Sequence, residues 1–372
     1  MADELSGNHD FRLELRRWLA AVERPEGLRE YGSTPSTRDA EVARAWQRVL
    51  YDGGWAGVSW PREHGGRGAT VMQQAIFAEE TALAEVPRYS SLTSMELAGP
   101  MIFQYGTERQ RERLLPAILR GEHLWCQLFS EPEAGSDLAA LRASAAPRDG
   151  GWIVNGQKIW SSGGHFSEIG LLLARTDKED RHRGISCFLL PMDRSGIEIR
   201  PIRQIDDEEK FSEVFFDDVR LEPEDLLGGV GEGWKIALST LGRERLSLGA
   251  EAVGMTRMLS RVRESTALDG GLAERYAELW GRIVALRVTW LRLIASGAGG
   301  RDPRYSALKL MASSLRQQIP RLGTDALGAA AITGEGSSWS EAELASLSAT
   351  IAGGTSEIQR EIIGERVLGL PR

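Results

Sequence analysis

The sequence has little cysteine, no long apolar run and no excess of basic residues. Its 372 residues include only Cys126 and Cys187, a count that argues against a disulfide framework and fits a reducing compartment. No apolar stretch approaches the roughly 20 residues needed to span a bilayer, and no N-terminal segment has the pattern of a signal peptide. A net charge of −8 argues against nucleic-acid binding, which usually needs a basic face. We therefore predict a cytoplasmic protein with no membrane or nucleic-acid partner.

The order of periodic segments predicts the fold class. Helix-type spacing dominates residues 1–122, as in DFRLELRRWLAAV and VMQQAIFAEETALAEV. Short segments rich in Val, Ile, Leu and Phe, such as GWIVNGQKIWSS, fill residues 123–231. Helical periodicity returns over residues 232–372. Because this order differs from an alternating βαβ plan, we predict an α+β fold with a small β-barrel or sandwich between two helical domains.

Four strings in order resemble the acyl-CoA dehydrogenase family: FSEPEAGSDLAAL, GWIVNGQKIWSSGG, FFDDVRL and GGTSEIQR. The resemblance covers nearly the whole chain. It implies an N-terminal helical domain, a middle β-domain and a C-terminal four-helix bundle, with FAD held between the last two. It also implies α,β-dehydrogenation of an acyl-CoA, or of an acyl-carrier-protein thioester, to the trans-2-enoyl thioester, in fatty-acid or steroid side-chain metabolism.

The resemblance assigns cofactor roles to three segments, and no metal. It places the loop from Gln127 to Ser136 along the flavin, Trp160 and Ser162 on the ring, and the GGTSE turn at the ribityl chain and pyrophosphate. The implied FAD-binding residues are Gln127, Phe129, Ser130, Ser136, Trp160, Ser162, Thr355 and Glu357. On a regular strand, residues two apart face the same side, which would put the indole of Trp160 and the hydroxyl of Ser162 together. Taken alone, each segment is also compatible with a simple turn, a core tryptophan or a Gly-rich helix start.

The catalytic base is predicted on an earlier helix. In many family members the base precedes the GTS turn, where this chain has Gly353, whose N–H can still polarise a thioester carbonyl. Read as one helix, KIALSTLGRERLSLGAEAVGMTRML places Glu244 inside an apolar stripe formed by Ala237, Leu241, Leu248, Ala252 and Met255. A carboxyl group desolvated there would have a raised pKa, as a general base requires. The RERL string is similar to members such as isovaleryl-CoA and steroid-side-chain dehydrogenases, which implies Glu244 as base and Arg245, Ser136 and Gly354 as substrate-binding residues. The alternative is a surface acid paired with an arginine.

One departure bears on partners. An Arg-x-x-Phe-Gly segment that reaches a neighbour's FAD in many members is missing from RESTALDGGLAERY. The chain is therefore expected to form a homo-oligomer with other contacts, or a heteromer with a related chain, and to pass electrons to an electron-transfer flavoprotein. Two other functions stay open at this point: a flavin-dependent oxygenase or oxidase on the same scaffold, and a non-catalytic subunit of a heteromer.

Overall fold

The computed structural model describes residues 2–32, 34–241, 249–298, 302–333 and 337–371. These residues divide into two compact units. The first comprises those within Met1–Thr70 and Glu85–Thr240, and the second those within Val71–Ala84 and Leu241–Arg372. The three-domain division at residues 122 and 231 stays a prediction. Within the described ranges, no helix combines the length and apolar character needed to cross a bilayer.

Helices precede the sheet, as predicted: α1 (Ala2–Ala21), α2 (Ala40–Asp52), α3 (Val71–Leu83), α4 (Gly99–Tyr105) and α5 (Glu108–Leu119). A π-helical segment, Thr93–Ala98, leads into α4. The start of α5 is fixed by a capping box, because Thr107 Oγ1 accepts from the Gln110 N–H and Gln110 Oε1 accepts from the Thr107 N–H. In the first unit, the Trp18 ring packs against the rings of both Trp46 and Trp55, with a centroid distance of 5.9 Å in each pair.

Eight strands then form one hydrogen-bonded sheet: β1 (Trp125–Leu128), β2 (Ser144–Arg148), β3 (Gly151–Ser162), β4 (Ile169–Arg175), β5 (Ile185–Pro191), β6 (Ile197–Ile202), β7 (Phe211–Leu221) and β8 (Leu226–Leu227). The strand order is β6-β7-β3-β2-β4-β5-β8, and β1 pairs with β4 in parallel. Strands β4 and β5 are buried almost throughout, which explains their continuous apolar sequences.

The sequences of β2 and β8 do not predict strands. The sequence of β2 is SAAPR, without a β-branched or aromatic residue, and β8 has only two residues. Strand β2 forms because its partner β3 is long and pairs with it over Ser144–Arg148, so tertiary pairing overrides local propensity here.

The chain ends in helices α6 (Gly233–Leu241), α7 (Glu251–Ser265), α8 (Gly270–Ala295), α9 (Tyr305–Leu327), α10 (Ala330–Thr333), α11 (Ser337–Ser346) and α12 (Ser356–Arg366). Helices α7, α8 and α9 pack around one core that includes Leu259, Leu286 and Leu315, each fully buried. Ala75 and Ala78 of α3 belong to the same core. The α+β prediction, with helical segments on either side of a β-domain, is confirmed.

Candidate active site

The loop that follows β1 is held by main-chain and side-chain bonds. Gln127 is half-buried in β1, Phe129 is buried, and Ser130 accepts a hydrogen bond through its carbonyl from the Ile159 N–H at 3.0 Å. Ser136 lies further along the loop and is exposed. The loop therefore starts on a rigid strand edge and ends in solvent, as a surface that receives a ligand requires.

A buried ion pair fixes this loop, and sequence reasoning missed it. Lys158 is fully buried, and its Nζ lies 2.7 Å from Glu131 Oε1 and 3.0 Å from the carbonyl oxygen of Phe129. The Glu131 carboxylate also accepts from the backbone N–H groups of Arg142 and Ala143, at 2.6 and 2.9 Å. Burial lowers the pKa of Lys158 to about 8, against the opposing effect of Glu131. The sequence did contain one signal for this pair: a lysine lies inside a strand-like segment, and a buried charge needs a partner of opposite sign.

Trp160 does not sit on a regular strand. The ladder between β3 and β7 shifts register between Lys158 and Ser161, and Trp160 has φ +59°. A bulky residue in the left-handed region is a strained bulge, and such strain is often kept at functional sites. The indole is 56% exposed and meets the Phe211 ring edge-on at a centroid distance of 6.1 Å. The strand-alternation argument for placing Trp160 with Ser162 is therefore wrong, although their proposed roles stay predictions.

The hydroxyl groups beside the bulge differ in burial. Ser162 is half-buried and pairs with Phe211, whereas Ser161 is fully buried opposite Ser212. The Ser161 Oγ has no hydrogen-bond partner among the described residues. Gly163, with φ +65°, accepts a hydrogen bond through its carbonyl from Ser167 Oγ at 2.8 Å. The end of β3 thus carries an exposed aromatic ring close to one buried hydroxyl group that has no hydrogen-bond partner among the described residues.

The turn before α12 belongs to the second unit. Gly353 and Gly354 have φ +68° and +90°, which glycine adopts without strain. Gln359, fully buried and also missed from the sequence, donates through Nε2 to the carbonyls of both glycines at 3.3 Å. A Cβ on Gly354 would lie 2.6 Å from that Nε2 atom, so a side chain there would displace the Gln359 amide from its bonds to the turn. Thr355 caps α12, since its hydroxyl accepts from the Ile358 N–H at 3.3 Å.

Glu357 lies in the first turn of α12 and is exposed. A hydrogen bond from its own backbone N–H, supported by the Thr355 hydroxyl, lowers the pKa of this carboxyl group below its usual value. The carboxylate thus engages one N–H group at the helix start, where N–H groups without an intrahelical partner favour an anion. The predicted contact of Glu357 with the FAD pyrophosphate stays a prediction. It would place two negative groups, the carboxylate and the pyrophosphate, at the N-terminus of the same helix.

The predicted base lies outside the described residues, as does Arg245, because residues 242–248 are not described. Around them, the single helix predicted over residues 235–259 is not observed. Gly249 and Ala250 form a turn and α7 begins at Glu251. A Cβ on Gly249 would lie 2.0 Å from the Trp290 ring, so glycine permits a close packing contact. Ala237, Ala252 and Met255 are buried, as the apolar stripe predicted.

The described site residues fit the chemistry of FAD in two groups, one in each unit. In the first unit, an exposed indole, the Ser130 and Ser162 hydroxyls and a loop fixed by Lys158 suit a flat aromatic ring with polar edges. In the second unit, a Gly-Gly turn opens onto the N-terminus of an 11-residue helix, which suits a pyrophosphate.

Comparison with known proteins agrees with this chemistry. Family models of the acyl-CoA dehydrogenase N-terminal, middle and C-terminal domains match residues 9–122, 126–219 and 231–368. Acyl-CoA dehydrogenase IpdE1 of Mycolicibacterium smegmatis is 38% identical over 386 residues, covering 98% of each chain. The chain belongs to the acyl-CoA dehydrogenase family. The predicted enzyme class, an FAD-dependent acyl-CoA dehydrogenase, is confirmed.

Solved structures share the fold over the full length. The ChsE4-ChsE5 complex from Mycobacterium tuberculosis aligns with a TM-score of 0.83 and 30% identity, covering 98% of each chain. The Tcur3481-Tcur3483 steroid acyl-CoA dehydrogenase aligns with a TM-score of 0.86 and 26% identity, covering 99% of this chain and 98% of that one. Both are complexes of two different chains.

Proposed function

We propose that this enzyme removes the α-proton of an acyl-CoA with Glu244 and forms the trans-2-enoyl thioester. The observation that carries the proposal is the strained, exposed Trp160 beside a loop clamped by a buried ion pair, in a chain of this family. Such a strained residue persists only where the surrounding structure holds it, and the indole is 56% exposed, so burial of the ring does not account for the strain. A flat ligand that stacks on the indole would explain why the strained conformation is kept.

The chain's own residues divide the chemistry between proton removal and carbonyl polarisation. Glu244 takes the α-proton, for which a carboxyl group with a raised pKa is suited. The Gly353 N–H donates to the thioester oxygen as enolate charge develops, and Gln359 keeps that turn in place through its bonds to the two glycine carbonyls. Arg245, Ser136 and Gly354 contact the substrate. The chemistry that FAD supplies when bound is acceptance of the β-hydrogen as hydride at flavin N5.

The acyl group is proposed to be bulky and derived from a steroid. This rests on the solved relative described as a steroid acyl-CoA dehydrogenase, at 26% identity. An electron-transfer flavoprotein is the proposed electron acceptor. Cys126 and Cys187 are buried free thiols, in keeping with the proposed cytoplasmic location.

The test has two stages. Purified protein should carry flavin absorbance, or take up added FAD. Anaerobic mixing with a panel of acyl-CoAs, from short and branched chains to ring-bearing acids, should bleach the flavin with the ring-bearing members fastest. Matched acyl-pantetheines, which lack the nucleotide of CoA, serve as controls for recognition of the carrier. Flavin that no acyl-CoA reduces would contradict the proposed activity, and rapid reoxidation of reduced flavin by oxygen would favour an oxidase instead.

A further inference from the structure

Helix α9 carries buried polar side chains on the face that packs against the turn segment, residues 347–354. Ser306, Lys309 and Ser313 are at most 5% exposed. Because they are spaced by about one and two helical turns, they share one face of the helix. Burial of polar groups costs free energy unless the groups are bonded. A polar face inside a helical core therefore needs a purpose other than packing.

Two side chains of α9 donate to carbonyl groups of the turn segment. Lys309 Nζ lies 3.2 Å from the Ala349 carbonyl oxygen, and Gln317 Nε2 lies 3.4 Å from that of Leu347. From α12, Gln359 donates to the carbonyls of both glycines of the Gly-Gly turn. Side chains from two helices thus hold carbonyls along the whole turn segment, which fixes the path of its main chain.

The N–H groups of the Gly-Gly turn remain available. The Ile351 and Ala352 N–H groups donate to the Ser348 carbonyl. Within the ranges that the structure describes, the N–H groups of Gly353 and Gly354 have no acceptor. A turn whose carbonyls are bonded inside the protein, and whose N–H groups are not, presents hydrogen-bond donors alone. An oxygen that gains negative charge requires such a surface.

Lys309 also brings a buried positive charge to this part of the fold. The pKa of the Glu357 carboxyl group is lowered first by the hydrogen bond from its own backbone N–H, and the charges of Arg360 and Lys309 lower it further. The field of the buried ammonium therefore reaches the start of α12, directly after the turn. A neutral amide could donate to the Ala349 carbonyl as well, so the lysine adds a charge that the hydrogen bond alone does not need.

We propose that Lys309, assisted by Gln317, is a positioning residue for the dehydrogenation. It holds the turn segment and keeps a positive potential there, so that the Gly353 N–H meets the thioester oxygen as negative charge develops. The inference rests on the proposed function, in which that N–H polarises the thioester carbonyl. It extends the proposed function to α9, whose side chains act through the main chain of the turn.

The first experiment measures polarisation of the carbonyl directly. Its probe is the 2-enoyl-CoA product of the best acyl-CoA, isotope-labelled at the carbonyl carbon. The infrared stretching frequency of that carbonyl falls as hydrogen bonds to its oxygen strengthen, so binding to the FAD-loaded parent should lower it. Lys309→Met keeps the length of the side chain and removes the donor and the charge, and should show about half of the parent shift or less. The full shift in Lys309→Met would overturn the proposal.

Ser306→Ala is the matched control. Ser306 lies one turn before Lys309 on the same face, and its buried hydroxyl group has no hydrogen-bond partner among the described residues. This variant should bind the product with the full parent shift. A loss as large as that in Lys309→Met would show that any change on this face disturbs the turn, and would remove the specific role of Lys309.

The second experiment separates positioning from stability, with rates normalised to bound flavin. Lys309→Met should lower kcat by ~10- to 100-fold and change KM by less than about 2-fold, because the N–H bond to the oxygen strengthens only as charge develops. Loss of bound flavin with an unchanged kcat would make Lys309 a structural residue and overturn the proposal.

Gln317→Met gives a second variant, at a half-buried position, should Lys309→Met not fold. Its carbonyl shift should also be smaller than that of the parent. An unchanged shift in every variant that folds would overturn the positioning role of α9. A parent protein that binds the product without a shift would instead contradict the proposed polarisation by Gly353, and the inference with it, so the two failures are distinguishable.

Discussion

Lys158 and Glu131 form a buried ion pair, with 2.7 Å between Nζ and Oε1, that joins β3 to the loop after β1. The Glu131 carboxylate also accepts from the Arg142 and Ala143 N–H groups, and Lys158 Nζ donates to the Phe129 carbonyl, so several contacts that order this loop meet at the pair. Together with the Ile159 N–H bond to the Ser130 carbonyl, the pair holds Phe129 and Ser130 at the edge of the sheet.

The first prediction concerns the energy of this pair. Lys158→Met or Glu131→Gln alone should cost about 3–5 kcal/mol of unfolding free energy, because each leaves one buried charge unpaired. The double variant Lys158→Met/Glu131→Gln should cost clearly less than the sum of the two single changes. Urea unfolding of the four proteins measures the coupling. Additive losses would show that the two charges do not depend on each other.

The second prediction is a pH dependence with a defined sign. The pKa of Lys158 is lowered from 10.5 to about 8 in the folded protein, so between these values the unfolded chain binds the extra proton. The unfolding free energy of the parent, relative to the Lys158→Met/Glu131→Gln variant, should therefore rise from about pH 8 to about pH 10.5 and be flat below pH 8. A parallel set of urea titrations at stepped pH provides the comparison. A difference that falls over this range would mean that the lysine keeps its proton.

The third prediction separates strain from function at Trp160. Glycine accepts φ +59° without penalty, so Trp160→Gly should raise the unfolding free energy of the flavin-free protein or leave it unchanged. The same change should weaken FAD binding, because the stacking ring is gone, whereas Trp160→Phe should retain most of the affinity. Thermal unfolding and FAD titration are the two readouts. Equal FAD affinity in all three proteins would remove Trp160 from the site.

The fourth prediction follows from the charge at the start of α12. Glu357→Gln removes a carboxylate that uses helix N-terminal donors and repels a pyrophosphate. FAD should bind ~3- to 10-fold more tightly as a result. Glu361→Gln, an exposed acid one turn further along the same helix, is the control and should change little. Weaker FAD binding by Glu357→Gln would instead make this carboxylate a direct cofactor ligand.

The sequence predicted the elements that bury one face, but not those that depend on a distant partner. Apolar periodicity located the long helices and six of the eight strands, because burial of one face leaves a repeating pattern. It could not find β2, whose pairing is imposed by β3, nor the bulge at Trp160, since a register shift depends on the partner strand. Gln359 and Lys158 act through contacts with residues 5 to 29 positions away, and a polar residue in an apolar segment shows that a partner exists without showing which.

The fifth prediction concerns the base. Glu244→Gln keeps the shape of the side chain and removes its ability to take a proton, so FAD should stay bound while flavin reduction by a good acyl-CoA slows by ~10²–10⁴-fold. Glu251→Gln is the matched control: this acid lies in α7, pairs with Arg316 and has no proposed role in the reaction, so reduction should proceed at the parent rate. Adding Gly353→Glu to Glu244→Gln should restore only a small part of the rate, because φ +68° at that position strains any residue with a Cβ. Stopped-flow measurement of anaerobic flavin bleaching distinguishes the variants. If Glu244→Gln bleaches as fast as Glu251→Gln, then Glu244 is a structural acid and the α-proton leaves to another group.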